Sequence, residues 1–291
     1  MIAAAAIVAA ALALIAIERR WPYDAQPLWR AGLFLDLVWY GLVQSYVLSL
    51  PIAWLVRPLA GPGWVSDWPV WAQIALFVVL HDLYIYWFHR WQHSNRWLWR
   101  IHEAHHSARQ VDWVSGARSH ALEILVNQTI EVAVMVWLGA TPDVILAKGA
   151  VSVISGMWIH ANTRLHLGPL RYLVNGPEQH RWHHAIDYPE PGRNFATKLA
   201  IWDHLFGTAY LPPRKPAGYG LGDDRYPRGF VAQQLYAFRR SERASRGLQN
   251  SLTAEKTVAD RPARAGAAPE TRARARRRRG TPRRRASARP A

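Results

Sequence analysis

The sequence predicts an all-α protein: an integral-membrane helical bundle with a histidine-rich helical cap facing the cytoplasm. Two observations carry that expectation. Apolar runs of bilayer length recur from Ile2 to Ile159, and all 13 histidines fall between His81 and His204, beside the ends of those runs. A third observation restricts the chemistry. The chain has no cysteine, so disulfides, iron–sulfur clusters, thiolate zinc sites and cysteine nucleophiles are excluded, and any metal rests on histidine and carboxylate.

Ile2–Ile17 is unbroken and apolar, and Glu18-Arg19-Arg20-Trp21-Pro22 closes it. Its basic residues follow the apolar stretch, the reverse of a secretory signal, so it reads as a first membrane helix extending toward Trp21. A second span runs from Leu33 to Val56 with Asp36 as its one charge, and Trp64–Pro69 reads as an interfacial aromatic turn. A third, Val70–Leu80, continues into HDLYIYWFHR. Leu122–Leu138 and Val144–Ile159 flank Gly139-Ala140-Thr141-Pro142, a breaker cluster that predicts a helical hairpin. Glu123, Glu131 and Lys148 are costly in lipid, so these helices are expected to turn them inward. Arg19, Arg20 and Arg30 follow the first span, against Arg57 after the second. The positive-inside rule therefore places the amino terminus outside, and the histidine clusters and carboxyl terminus in the cytoplasm.

The net charge of +16 resembles a nucleic-acid signature until it is located. From Arg239 onward there are 17 Lys/Arg and 4 Asp/Glu, which leaves 19 and 16 in the body, so the body is nearly neutral. The tail is rich in Ala, Arg, Pro and Ser and cannot bury a core, so it is expected to be disordered, with no specific nucleic-acid partner. The chain divides into membrane helices (1–67), a metal-binding domain (68–215), a short extension (216–240) and the Arg/Ala-rich tail (241–291).

Three clusters stand out among the histidines: HRWQH with His89 and His93, HEAHH with His102, His105 and His106, and HRWHH with His180, His183 and His184. Residues i, i+3 and i+4 of a helix share a face, so each cluster aims two or three imidazoles at one point. Eight imidazoles exceed the needs of one zinc and suit two adjacent ions with positions left open. Spacing leaves iron, copper, zinc and nickel all open. A soluble di-iron carboxylate site needs paired Glu-x-x-His helices, and Glu103 with His106 is the single match.

DLYIYWFHR, WRIHEAHHS, GARSHALE, HANTRLHLGPL and NFATKLAIWDHLFGTAY together resemble the fatty-acid hydroxylase/sterol desaturase superfamily of membrane histidine-box di-iron enzymes. The likeness covers about Leu80–Leu211, with Phe195-Ala196 departing from the family's Tyr-Gly. It implies two iron ions with O2 as co-substrate, and hydroxylation or desaturation of a lipid-like substrate such as a sterol, fatty acyl chain, carotenoid or ether lipid. Electrons would come from an external ferredoxin- or cytochrome-type donor. Carried over position by position, the ligands would be His89, His93, His102, His105, His106, His180, His183 and His184, plus His160. His120 would be a ligand or an orienting neighbour, and Asp82, Asp112, Glu123 and Asp203 are candidates to accept an imidazole's outer proton. His81 and His166 are left unassigned and His204 reads as structural; no catalytic residue beyond the ligands is implied. The rival classes are a membrane-embedded metallohydrolase, which needs fewer histidines and a carboxylate base, and a metal-binding or transport protein, which would set ligands along the spans.

Overall fold

The computed structural model describes residues 1–187 and 192–239. The expected disordered tail, 241–291, lies outside the described residues. Nine α-helices are seen among them, with no strand and two isolated bridges, Pro22 with Thr163 and Ala185 with Tyr219. They are α1 (Ile2–Arg20), α2 (Ser45–Val56), α3 (Val70–Ser94), α4 (Arg96–His106), α5 (Ala121–Trp137), α6 (Pro142–His160), α7 (Pro177–His183), α8 (Ile201–Leu205) and α9 (Phe230–Tyr236). A π-helical stretch, Leu35–Gln44, leads directly into α2. Among the described residues four helices are long and apolar enough to cross a membrane: Ile2–Arg20, Leu35–Leu59, Val70–Ser94 and Pro142–His160.

The bundle is assembled by three apolar contacts. Leu14 of α1 packs on Met157 of α6, Ile52 and Val56 of α2 on Val136 of α5, and Phe77 of α3 on Met135 and Val144 at the α5–α6 turn. That turn closes on the aromatic Trp64–Trp68 region. Gly139 adopts φ +94°, and a β-carbon there would collide with Gly63 and Ser66, so glycine is required. The outer faces stay apolar and bare, with Leu12, Leu50, Trp54, Trp71 and Leu146 all exposed. Surface of that kind suits lipid rather than water.

Polar residues turn inward, as expected for Glu131 and Lys148. Lys148 Nζ meets His81 Nδ1 at 2.6 Å and pairs with Glu131, whose second oxygen lies 3.2 Å from His81 Nε2. A second buried chain ties the amino-terminal region to the cap. Arg30 holds Asp112 at 2.6 Å and Asp36 at 2.8 Å, and Asp36 takes Arg118 Nε at 2.6 Å. Arg30, counted above as a loop charge, is therefore a buried ion-pair partner. Asp36 is likewise an anchor for the π-helical stretch, not an exposed intruder in a span.

Candidate metal centre

The histidines sit where helices end. His89 and His93 occupy the last two turns of α3, His102, His105 and His106 close α4, His160 is the last residue of α6, and His180 and His183 lie on α7 with His184 as its C-cap. Local sequence explains these boundaries. Asn95 breaks α3 and caps α4, its side chain accepting from the Trp97 and Leu98 amides at 2.9 and 3.2 Å. Gly176-Pro177 starts α7, with proline at the position whose amide needs no helical partner.

Nine imidazoles converge in two adjoining groups. His89, His93, His102, His106 and His183 form the first, and His105, His160, His180 and His184 the second. In each group one ring nitrogen per residue lies within 4.8 Å of all the others. α4 serves both, sending His102 and His106 to one side and His105 to the other. α7 does the same with His183 against His180 and His184. The groups touch, with the His106 and His184 rings 4.7 Å apart. Burial, with the neighbouring imidazoles adding to it for His105, lowers the pKa of His102 and His105 to about 3 and holds His106, His180, His183 and His184 well below the usual histidine range. These side chains are neutral at neutral pH, the form a metal requires.

The outer nitrogens determine where the lone pairs point. His89 Nδ1 donates to the Phe195 carbonyl at 2.8 Å, His105 Nδ1 to Arg118 at 3.0 Å, His160 Nδ1 to Gly156 at 2.7 Å and His183 Nδ1 to Arg193 at 2.9 Å. His102 Nδ1 donates to the Glu123 carboxylate at 2.9 Å, and Glu123 also accepts from Gln92 at 2.8 Å. A carbonyl or carboxylate only accepts, so each of these rings keeps its proton outside and a bare Nε2 inside.

That arrangement tests whether a metal fits. The Nε2 atoms of His89 and His102 face one another at 3.0 Å with both protons held elsewhere, so two lone pairs oppose without a hydrogen between them. Unscreened, they repel; a cation between them reverses the sign. In the second group the Nε2 atoms of His160, His180 and His184 form a triangle with sides of 3.1, 3.1 and 3.2 Å. Metal–nitrogen bonds of about 2.0–2.1 Å meeting near right angles put nitrogens about 3 Å apart. His106 Nε2, buried in the first group, has no hydrogen-bond partner among the described residues. The residues fit two histidine-bound ions.

The remaining sequence candidates separate. Glu123 touches an imidazole. Asp203 is one peptide removed: it accepts from the Phe195 and Ala196 amides at 2.8 and 3.0 Å and so aims the Phe195 carbonyl at His89. Asp82 grips the same loop through the Lys198 and Leu199 amides, Thr197 and the Trp202 indole. Asp112 holds Arg30 and the Ser115 amide. His120 lies outside both groups as the N-cap of α5, accepting from Leu122 at 3.1 Å and donating to the Gln234 carbonyl at 2.8 Å. The His204 ring packs at a tilt against Tyr172, with centroids 5.1 Å apart, and His166 meets Glu178 at 2.5 Å.

Several positioning groups were not read from the sequence. The carbonyls of Phe195, Arg118, Gly156 and Arg193 are backbone atoms with no side-chain signature. Gly116 lies so close to the His160 ring that any β-carbon would strike it, and its place within GARSHALE was the one available hint. Asn194 stands at φ +55° and bridges the Gln179 and Tyr210 carbonyls at 2.8 and 2.7 Å, fixing the turn that presents its neighbours' carbonyls to His183 and His89.

Comparison with known proteins adds to this geometry. Residues 74–208 match the fatty acid hydroxylase family. The chain is 32% identical over 249 residues to an ornithine lipid hydroxylase of Rhizobium tropici, covering 80% of this chain and 74% of that protein. It is 28% identical over 212 residues to an alkylglycerol monooxygenase of Xenopus tropicalis and 31% over 158 residues to that of Homo sapiens. These cover 69% and 54% of this chain, but 45% and 34% of those proteins, so it spans less than half their length. No solved structure matches.

Proposed function

The chain belongs to the fatty-acid hydroxylase/sterol desaturase superfamily and is a lipid-modifying oxygenase, and from that premise we propose an O2-dependent di-iron enzyme that hydroxylates or desaturates a lipid-like substrate. The single observation behind the di-iron reading is the convergence of nine imidazoles into a group of five and a group of four, with opposed Nε2 lone pairs. His89, His93, His102, His106 and His183 would hold one iron; His105, His160, His180 and His184 would hold the other. When bound, the irons supply the oxidising power that removes hydrogen from an unactivated carbon. The chain's own groups do the rest. The Phe195, Arg118, Gly156 and Arg193 carbonyls and Glu123 hold the outer imidazole protons and fix the rings. Eight of the nine histidines are buried and His93 is partly so, which keeps bulk water from the reacting atoms. No further acid, base or nucleophile is assigned.

The substrate classes the sequence leaves open are sterol, fatty acyl chain, carotenoid and ether lipid. The relatives' names favour a polar lipid such as an ornithine lipid or an alkylglycerol. Electrons come from an external donor of ferredoxin or cytochrome type. Arg100, a cation of the cap, is buried and engaged with the Arg239 carbonyl, so Arg90 and Arg96 are the better candidates to meet that donor. We place the histidine side of the four spans in the cytoplasm.

Protein purified in mild detergent should carry close to two irons per chain and, with O2 and a reductant, convert one of these lipids. One tightly bound zinc with negligible iron would overturn this in favour of a metallohydrolase.

A further inference from the structure

α7 has two working faces. His180, His183 and His184 turn toward the histidine groups, whereas Arg181 and Trp182 line a cavity of about 860 Å3 on the opposite side. The cavity wall is cationic and aromatic together. The Arg181 guanidinium stacks over Tyr23 at 3.6 Å, Lys215 Nζ stands over the same ring at 4.2 Å, and Arg214 lies over Trp182 at 4.6 Å. Arg171 lies over Tyr172 at 5.3 Å. Each cation is thereby held against a ring, which lowers the ordering cost of binding an anion. Lys215 and Arg214 meet Asp24 and Asp187 in solvent-exposed pairs, which are weak. Arg171 has no ion pair among the described residues. Glu178 is the one acid among the described lining residues, and His166 engages it.

Two observations place the cavity at the depth of lipid headgroups. Tyr23 lies three residues beyond the end of α1, a helix of bilayer length, and Pro22 bridges to Thr163 just beyond the end of α6. The turn Gly168–Tyr172, which carries Arg171, exposes large apolar side chains: Leu170, Tyr172 and Leu173 are 57%, 52% and 54% exposed. A basic residue set among bare apolar neighbours at a helix-end level is the composition of a membrane-interface element.

We propose that this cavity binds the anionic headgroup, phosphate or carboxylate, of a membrane lipid, with the Gly168–Tyr172 turn seated in the bilayer interface. The site is distinct from the metal groups, with α7 between them, and the inference rests on the membrane placement of the cap, not on the metal. Arginine suits this task because its planar fork binds phosphate or carboxylate through two parallel hydrogen bonds.

The test uses the full chain in detergent and native mass spectrometry, titrated with phosphatidylglycerol, phosphatidylcholine or inorganic phosphate. Wild type should retain one phosphatidylglycerol in preference to phosphatidylcholine. The combined variant Arg171→Ala, Arg214→Ala, Lys215→Ala should bind it at least about tenfold more weakly, since each substitution removes a charge-assisted hydrogen bond. Arg96→Ala should match wild type. Equal retention by the triple variant and wild type overturns the proposal, as does equal retention of the two lipids. Arginine-dependent binding of inorganic phosphate without phosphatidylglycerol retention also overturns it, by showing a soluble-anion site. Should the triple variant melt early, Arg171→Glu alone decides: preference for phosphatidylglycerol must fall while that variant melts as wild type does.

Discussion

In the first histidine group the outer nitrogens of His89, His102 and His183 are gripped by the Phe195 carbonyl, the Glu123 carboxylate and the Arg193 carbonyl. In the second, His105 and His160 are gripped in the same way, by Arg118 and Gly156, whereas the buried Nδ1 atoms of His180 and His184 have no hydrogen-bond partner among the described residues. The first group also has one more imidazole and a carboxylate behind it. Outer partners fix ring orientation and raise ligand basicity, so the first group is the firmer of the two. On the proposed di-iron reading, His180 and His184 of the second group would be the rings freer to reorient.

The largest expected effects come from removing a ligand. His183→Ala in the first group and His105→Ala in the second should each lose most bound iron and all measurable oxygenation. Full iron retention in both, read by elemental analysis beside product formation, would break the assignment of the two groups. Glu123→Gln removes the charge behind His102 while leaving an acceptor. It should cost about 10–100-fold in metal affinity or activity, and an unchanged affinity would mean that the firmness of the first group has another source. The comparison sharpens further under a chelator: iron loss should be biphasic, with the second group emptying first. Whatever iron His105→Ala still retains should then leave in the slow phase alone.

The metal-free protein should respond to pH in a defined direction. Burial lowers the folded pKa of His102 and His105 from 6.5 to about 3, so below pH about 6.5 the unfolded chain binds more protons than the folded one. Their contribution to stability is complete above that value and is lost as pH falls toward about 3. Tm of chelator-treated protein should drop over that window, and a flat Tm would show that water already reaches these rings. The smallest effects belong to the bystanders. His120→Ala loses an N-cap, worth about 0.5–2 kcal/mol, yet should keep its iron. His204→Ala, which loses the ring contact with Tyr172, should stay within about 0.5 kcal/mol of wild type.

The sequence was most informative where periodicity and chemistry coincide. Helical spacing alone marked His89 and His93, His102, His105 and His106, and His180, His183 and His184 as converging, because i, i+3 and i+4 share a face whatever the tertiary structure. His160 stands alone in sequence, and only the family resemblance singled it out; what brings it in is the packing of α6 on α3 and α7. The carboxylates were harder to sort. Glu123 meets an imidazole because it lies on the first turn of α5 facing α4, whereas Asp82 and Asp203 are drawn to backbone amides of the loop between α7 and α8. Composition does not distinguish a carboxylate that orients a ring from one that shapes the turn holding that ring's carbonyl partner. The π-helical stretch was also hidden, as was the burial of its Asp36 between nearby Arg30 and distant Arg118.

α7 supplies His183 to one group and His180 and His184 to the other, and it is the last helix of the site to emerge from the ribosome. Neither group is complete before it arrives. Six of the nine imidazoles, five from the first two boxes and His160 of α6, precede it in the chain, and the last three come with a short segment synthesised after the apolar helices. On the proposed di-iron reading, metal loading would therefore be a late event in biogenesis, and a chain interrupted before Pro177 would complete neither group.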